Sequence, residues 1–587
     1  MMYLLAIAYP LLAAFVVTRL APGEDERHSR GREVASRVLV ATGAVPALLI
    51  ALLVAAGDTA DLPWLLLDVR LGLTTTTQVF LLFTALLWTV AGIYAGAYHR
   101  HDRRRGEFFL YYLLTLSGNL GLILALDVVT FYTSFAVMTF AGYGLVVHER
   151  SELARHAAQT YIIMAILGEV LLLAALFLAS ADAADITLVA VRDAVAVSPQ
   201  RDLIMGLLFF GFGVKAGTLA VHMWLPLAHP AAPTPASAVL SGAMIKAGLL
   251  GWIHLLPMGE VALPGWSGFL IVWGLLAAFF AVAVGVTQIE PKTNLAYSSI
   301  SQMGVMTVAL GVGLAHPEAW QPALSVLLIY AFSHSLAKGT LFLGVGVASG
   351  VGVQRWKRML VMGGLFVAAV AIAGAPMTGG GIAKKALEGV APYAPGVLPE
   401  LLDFLLPLSA VATTLLMGRF LFLMWPMTGV EKPKVYGMSL WWSWLFVLST
   451  TAVGIWLVVP WLAIEVPLPD LAVADVWDGL WPIIAGAAVL GSLWQLQRWK
   501  PIPFHIPAGD VLSLVARPLL LLQGRWARRK QGREWIINLF PVIRNLMEGS
   551  RRKRQSAAAE AFIGRWDVVA AFFLLLVFAF IAALVLS

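Results

Sequence analysis

The stretch "GFGVKAGTLAVHMWLPLAHPAAPTPASAVLSGAMIKAG", residues 211–248, decides how the rest of the chain is interpreted. It places Lys215 and Lys246 inside apolar runs that otherwise resemble membrane-spanning helices, with His222, His229 and four prolines between them. A charge at the bilayer centre costs on the order of 2.5–3.5 kcal/mol on insertion scales and is kept where it faces water or a partner charge. The stretch therefore predicts a functional role for both lysines.

The composition identifies a polytopic membrane protein. Of 587 residues, 60% are hydrophobic and only 12% are charged, against about 25% charged residues in soluble domains. The absence of cysteine excludes disulfides, thiolate nucleophiles and cysteine-ligated clusters. In a membrane chain a net charge of +7 indicates basic cytoplasmic loops that meet anionic lipid, not nucleic acid. Because no cofactor or metal motif stands out, we expect neither.

Apolar segments of about 20 residues are candidate spans. We count sixteen, at residues 2–19, 36–56, 74–98, 107–125, 127–147, 157–180, 202–221, 236–256, 265–287, 293–314, 323–348, 359–378, 401–426, 440–463, 478–496 and 565–586. The basic loops follow spans one, three, five, eleven and thirteen. The positive-inside rule then predicts an inner (plasma) membrane protein with both termini outside the cytoplasm.

Residues 497–564 differ from the spans on either side. They mix apolar and basic positions with roughly helical spacing and are too charged to insert. We expect an amphipathic segment that lies along the membrane interface and contacts other subunits, followed by the final span.

Polar residues recur inside the spans in chain order. They are Glu169, Lys215, Lys246, His334, Lys338 and Arg419, and Lys384 and Lys385 follow directly after span twelve. Lysine in an apolar medium can release its proton near neutral pH and histidine titrates there, whereas arginine effectively never deprotonates. A row of lysine and histidine therefore suits proton relay. Arg419, near a span end, is an accessory candidate that could equally extend toward the interface.

Two spans contain breaks beside these residues. "WLPLAHPAAPTP", residues 224–235, and "GAPMTGGGIAKK", residues 374–385, interrupt or end spans seven and twelve. Non-helical backbone at membrane depth is tolerated only within protein or beside a water-filled cavity. Both breaks therefore predict a hydrated interior next to the lysines.

Three motifs resemble a known family. "VKAGTLAVHMWLPLAHPAAPTPASAVLSGAMIKAG", "KTNLAYSSISQMG" and "FSHSLAKGTLFLG" are similar to proton-translocating antiporter-like subunits of complex I, Mrp antiporters and membrane-bound hydrogenases. The resemblance implies an all-α polytopic fold with two inverted five-helix repeats and broken helices seven and twelve. It implies the divisions 1–106, 107–256 (first repeat), 265–426 (second repeat), 440–496, 497–564 (lateral segment) and 565–587.

The resemblance also assigns roles by position. Lys215 corresponds to the central lysine of helix seven, Lys246 to the connecting lysine of helix eight, and His334 with Lys338 to the polar pair of helix eleven. Either Lys384 or Lys385 corresponds to the lysine at the second break. His222, in the first broken connection, completes the predicted relay.

One position departs from the family pattern. Span five usually carries a glutamate that pairs with the lysine of span seven, but "DVVTFYTSFAVMTFAGYGLVVH" has Ala136 at about that place. Glu169, one span later, is the candidate replacement.

We therefore expect a proton-translocating subunit of a multisubunit membrane complex that itself holds no redox centre. Two alternatives remain open on the sequence alone. One is an Mrp-type cation/proton antiporter module, and the other is a membrane anchor that no longer conducts. Whether the chain acts within an enzyme depends on its partners.

Overall fold

The structure is a computed structural model and describes residues 1–20, 29–65, 68–428, 437–466, 473–499 and 506–509. In the N-terminal half the helices are α1 (Met2–Arg19), α2 (Ser29–Thr42), α3 (Val45–Leu53), α4 (Thr75–Tyr98), α5 (Arg105–Leu124), α6 (Val128–Val147), α7 (Glu152–Ala181), α8 (Leu188–Val197), α9 (Arg201–Ala216), α10 (Trp224–Ala231), α11 (Thr234–Val239) and α12 (Ile245–Leu255). The remainder are α13 (Pro264–Gly285), α14 (Pro291–Ala315), α15 (Trp320–Ala348), α16 (Arg355–Ala373), α17 (Gly379–Val390), α18 (Leu398–Met427), α19 (Ser439–Trp461) and α20 (Val473–Trp499).

Long apolar helices dominate because a bilayer offers the backbone no hydrogen-bonding partner. Within the described residues, 14 helical segments are long and apolar enough to cross a membrane. Several begin at side-chain caps: Thr74, Asp127 and Ser151 each accept a hydrogen bond from a backbone amide in the first turn of α4, α6 and α7. Such caps satisfy amides that the helix itself leaves free.

The predicted spans and the described helices agree at fourteen positions. The predicted seventh span, 202–221, is instead the shorter α9, which stops at Ala216. The sixteenth, 565–586, lies outside the described residues, as does the lateral segment 497–564 except for 497–499 and 506–509. The two inverted repeats stay a prediction.

A small hairpin shows that the prediction of an all-α protein was incomplete. Strands β1 (Thr59–Leu62) and β2 (Val69–Gly72) pair antiparallel, with Thr59 opposite Gly72 and Leu62 opposite Val69. The backbone amide of Arg70 also donates to the Asp127 carboxylate at 2.9 Å, which ties the hairpin to the start of α6. The segment is too short and too polar to give a span signal.

The most enclosed helices lie at the centre of the bundle. Every residue of α14 is buried, and in α15 the run from Val326 to Ala348 is buried except for Ser333. By contrast, α18 and α20 present many exposed apolar side chains, as expected for surfaces that face lipid or other subunits. The central position of α14 and α15 places their polar side chains far from the lipid-facing surface.

Two helices are interrupted, one at and one just before a predicted break. Helix α9 stops at Ala216 and is capped by Gly217, whose φ is 73°; the irregular backbone ends where α10 begins at Trp224, so this break precedes the predicted stretch 224–235, most of which is helical. Helix α16 stops at Ala373 and is capped by Gly374, whose φ is 98°, and α17 begins at Gly379, within the predicted stretch 374–385. Glycine adopts positive φ without the steric cost that a side chain would bring. The lysines of the two motifs therefore flank interrupted helices.

Candidate functional site

The first break carries a buried acid and a buried base around one cavity. Glu169 of α7 and Lys215 of α9 are 2% and 4% exposed, and both line a cavity of about 10 Å³, room for roughly one water molecule. The two side chains interact electrostatically. Lys215 Nζ also donates to Tyr161 Oη at 3.1 Å.

Helix α6 closes this cavity without contributing an acid. Phe135 and Thr139 line it, and the carbonyl of Thr139 accepts a hydrogen bond from Tyr161 Oη at 2.7 Å. Ala136 is buried between them in sequence. Glu169 thus supplies the carboxylate of a cavity whose α6 wall has none.

The irregular connection after α9 and the short helix α10 that follows it each contain a buried histidine, His222 and His229. His222 packs edge-on against Phe280, with ring centroids 5.8 Å apart, and His229 stacks on Phe342 at 4.6 Å. His229 interacts electrostatically with Lys338, Lys292 and Lys246. The connection therefore leads from the first cavity toward the lysines at the centre of the bundle.

The central cluster consists of Lys246, His334 and Lys338. All three are buried, and His334 interacts electrostatically with both lysines. Lys338 Nζ donates to the carbonyl of Leu295 at 2.8 Å and to the hydroxyl of Ser298 on α14. Lys246 interacts electrostatically with both His334 and Lys338, as expected for two side chains on one helix face.

A turn of π-helix precedes Lys246. Residues Leu240–Met244 form it between α11 and α12, and Lys246 Nζ donates to the carbonyl of Ser241 at 2.7 Å. The Ser241 hydroxyl in turn bonds that of Ser299 at 2.7 Å. Single π turns inside α-helices occur frequently at functional sites; the apolar pattern of this segment gave no indication of it.

A second small cavity joins the central cluster to the second break. His334 lines it together with Gln302, Tyr330 and Gly380 of α17. Tyr330 Oη donates to Gln302 Oε1 at 2.7 Å, and Gln302 Nε2 donates to Thr413 Oγ1 at 3.2 Å. Neither ring nitrogen of His334 has a hydrogen-bond partner among the described residues.

The two lysines of the second break have different surroundings. Lys384 is half-buried, and its Nζ donates to the carbonyl of Ala373 at the end of α16, 2.8 Å away. Lys385 is more exposed and pairs with Asp475 of α20. Both line a cavity of about 60 Å³ that also contains Glu388 and Asp478. Of the two alternatives, Lys384 is the one held inside the break.

Arg419 lies apart from the lysines. Its guanidinium donates twice to the carbonyl of Gln288, at 3.2 and 3.0 Å. Gln288 follows α13, so the contact fastens α18 to the turn between α13 and α14. This geometry favours the structural interpretation of Arg419.

Three residues that the sequence analysis did not select also lie beside the row of titratable groups. Lys292 is buried and donates to the carbonyl of Ala232 at 2.8 Å, His229 lies among the central lysines, and Tyr161 links Lys215 to α6. Lys292 stands at the first turn of a helix, where a lysine ordinarily reaches the interface, so its position in the sequence gave no signal.

Comparison with known proteins gives consistent matches. Residues 125–389 match the family described as NADH:quinone oxidoreductase/Mrp antiporter, TM. The chain is 29% identical to hydrogenase-4 component B of Escherichia coli (strain K12) over 48% of this chain and 44% of that one. It is 28% identical to NADH-quinone oxidoreductase subunit M of Rhodobacter capsulatus over 58% of this chain and 68% of that one.

The fold is similar to a chain in the structure of the Mrp complex from Dietzia sp. DQ12-45-1b. The TM-score is 0.72 at 22% identity, and the match covers 92% of this chain and 62% of that chain. The present chain thus spans less than half of hydrogenase-4 component B and about two thirds of the other two proteins.

Proposed function

The chain belongs to the antiporter-like family of membrane subunits, and from this premise we propose that it translocates protons as one subunit of a multisubunit membrane complex. The relay comprises Glu169, Lys215, His222, Lys246, His334, Lys338 and Lys384, extended by His229 and Lys292. Lys385 belongs to the mouth of the path and not to its buried part.

One observation carries the proposal: buried titratable groups follow one another across the bundle between two broken helices. Glu169 and Lys215 share one cavity, Lys246 and Lys338 both interact with His334, and His334 lines the cavity that reaches α17. Burying isolated charges is costly, and each group added to the row increases that cost. Proton transfer along the row offers a functional reason for retaining them.

Water completes the links between these groups. Buried polar atoms are nearly always hydrogen-bonded to protein or to ordered water, and both nitrogens of His334 and of His229 have no such partner among the described residues. Water molecules hydrogen-bonded to these imidazoles would carry the proton between the lysines.

Glu169 acts as the switch for Lys215 in this mechanism. A carboxylate near a buried ammonium favours its charged form, and weakening that contact favours release of the proton. Movement of Glu169 relative to Lys215, driven by a neighbouring subunit, would pass a proton toward Lys246. Tyr161, which bonds Lys215 directly, would keep the ammonium oriented toward this cavity.

The membrane topology and partners belong to the same proposal. The loops richest in lysine and arginine face the cytoplasm, protons enter near Glu169 and Lys215, and they leave near Lys384. Other membrane subunits and anionic lipid contact the chain, and the lateral segment 497–564 supplies one of those contacts.

A second candidate function is cation/proton antiport, and one observation favours it. The cavity at the second break gathers Glu388, Asp475 and Asp478 beside Lys384 and Lys385. Oxygen ligands of this kind suit hard cations. In this alternative a cation would bind at the acidic mouth while protons use the buried row.

The test is ion flux by the complex, isolated with its native partners and reconstituted into liposomes. Proton flux and sodium flux are measured in parallel for wild type, Lys215→Ala, Lys338→Ala and the matched control Lys385→Ala. Positioned proton-transfer groups contribute on the order of a hundredfold or more to a rate, so we expect a loss of about that size for Lys215→Ala and Lys338→Ala.

The control variant and the transported ion distinguish proton translocation from cation/proton antiport. Lys385→Ala should retain most proton flux because that side chain pairs with Asp475 at the mouth. Sodium flux coupled to proton flux would favour antiport. Unchanged proton flux in both Lys215→Ala and Lys338→Ala, with assembly intact, would show that the row carries no protons.

A further inference from the structure

A second group of titratable side chains lies outside the relay, where the loop after α4 meets the end of α6. It consists of His99, Asp102 and His148. Both histidines are almost completely buried, at 3% and 5% exposed, and Asp102 is partly exposed. The three residues contact none of the lysines of the row, so the proposed function does not use them.

The three side chains converge on one point. Asp102 Oδ2 lies 2.9 Å from His99 Nδ1 and 2.7 Å from His148 Nε2. One ligand atom from each residue lies within 4.8 Å of the other two. From these contacts we propose that His99, Asp102 and His148 bind a divalent transition metal ion of the zinc type.

The geometry suits such an ion. Zinc–nitrogen and zinc–oxygen bonds of about 2.0–2.2 Å in a tetrahedron place neighbouring ligand atoms roughly 3.4 Å apart. The two observed contacts are slightly shorter, so small side-chain shifts would admit the ion. Two imidazoles and one carboxylate are a ligand set that zinc uses, with an open fourth position for water. The exposed part of Asp102 gives that position access to solvent.

The imidazole rings are already fixed in place. His99 packs against Phe108 with ring centroids 4.1 Å apart, and His148 packs against the same ring at 5.2 Å. Ligands held before binding lose less conformational entropy when the ion arrives. Asp102 also accepts a hydrogen bond from the backbone amide of Arg104 at 2.8 Å, which fixes the carboxylate.

The backbone brings partial negative charge to the site. His99 follows the last residue of α4 and His148 follows the last residue of α6, so two helix C-termini, each with partial negative charge, meet here. Two of the nearby arginines bond elsewhere: Arg150 pairs with Glu107 at 2.7 Å, and Arg104 Nη2 donates to the carbonyl of Glu149 at 3.4 Å.

A metal ion here would join two parts of the chain that are separate in sequence. It would connect the end of α4 and the loop that follows it to the end of α6, the helix whose Phe135 and Thr139 wall the first cavity. His148 lies 46 residues after Asp102, so the three ligands form no continuous motif.

The test is binding of Zn²⁺ alone and Co²⁺ alone to the purified full-length chain after treatment with a chelator. Zn²⁺ affinity and stoichiometry are measured by calorimetry, and the coordination of Co²⁺ by its visible absorption spectrum. The variants are His99→Gln, Asp102→Asn and His148→Gln. His101→Gln is the matched control, because His101 is exposed and lies between two of the ligands in sequence without joining them.

We expect one equivalent of Zn²⁺ in wild type and in His101→Gln, with the Co²⁺ spectrum of a four-coordinate site. Each ligand variant should lose at least about tenfold in affinity, as even substitutions around a metal site commonly do. Absence of stoichiometric binding in folded wild type would overturn the proposal. So would wild-type affinity in all three ligand variants, because the ion would then be bound elsewhere.

Discussion

Both broken helices are interrupted at a glycine with positive φ, but the lysine precedes the glycine at the first break and follows it at the second. At the first break Lys215 stands two residues before Gly217, and at the second Lys384 stands ten residues after Gly374. The first lysine is 4% exposed in a cavity of about 10 Å³ with one acid. The second is half-buried at a cavity of about 60 Å³ with several acids.

This difference indicates different tasks for two similar motifs. At the first break the nearly enclosed Lys215 and Glu169 interact strongly, because little solvent screens their charges. At the second break the cavity is larger and holds several carboxylates, so water and ions screen the charge of Lys384. We infer that the first break controls when a proton moves and the second passes it to solvent.

The largest expected effect is a difference in proton flux between variants of the two lysines at the second break. Lys384→Ala removes the ammonium held against the carbonyl of Ala373, and we expect proton flux to fall on the order of a hundredfold. Lys385→Ala removes only a paired charge at the mouth and should change flux little. The measurement is proton flux in reconstituted liposomes. Equal losses in both variants would contradict the assignment of Lys384.

A smaller effect should follow from the acid of the first break. Glu169→Gln keeps the shape of the side chain but removes its charge, so we expect about a tenfold loss of flux, corresponding to a coupling of about 1.4 kcal/mol. Ala136→Glu in the Glu169→Gln background offers a second carboxylate from α6 and should restore part of the flux. If Glu169→Gln alone conducts like wild type, another residue controls Lys215.

The smallest effect concerns the glycines that end α9 and α16. Alanine at a positive φ costs about 1–2 kcal/mol, so Gly217→Ala and Gly374→Ala should both lower thermal stability. A Cβ at Gly374 would also lie 2.7 Å from Cδ of Lys384, whereas at Gly217 its nearest neighbour would be Leu225 at 3.2 Å. We therefore expect a loss of flux of about fivefold for Gly374→Ala alone.

The control for this last pair is Gly396→Ala. Gly396 has a φ of 64°, and no described atom lies within 4 Å of the place that an alanine Cβ would occupy, so the substitution adds backbone strain without a contact. Its stability should fall as in the other two variants while flux stays at the wild-type level. A loss of flux in Gly217→Ala equal to that in Gly374→Ala would mean that strain, not the position of Lys384, limits transport.

Much of the candidate site was predictable from the sequence because charge inside an apolar run is a strong signal. Placing a charged side chain in an apolar span costs free energy, so Lys215, Lys246 and Lys338 stand out in the sequence. The prolines and glycines around them mark the breaks. Lys292 gave no signal because it stands at the start of α14, and His229 was not selected although it lies in the proline-rich stretch that forms α10. Their place among the central lysines depends on how α10, α14 and α15 pack.

The sequence by itself determined that this protein spans a membrane many times, that lysine and histidine recur inside the spans, and that helices are interrupted near two of the lysine motifs. Hydropathy and backbone chemistry act along the chain, so a linear pattern is enough to reveal them. Only the tertiary structure decided that Glu169 faces Lys215, that Lys384 and not Lys385 is held in the second break, and that His99, Asp102 and His148 converge. Those facts depend on distances between helices, which local sequence patterns do not specify.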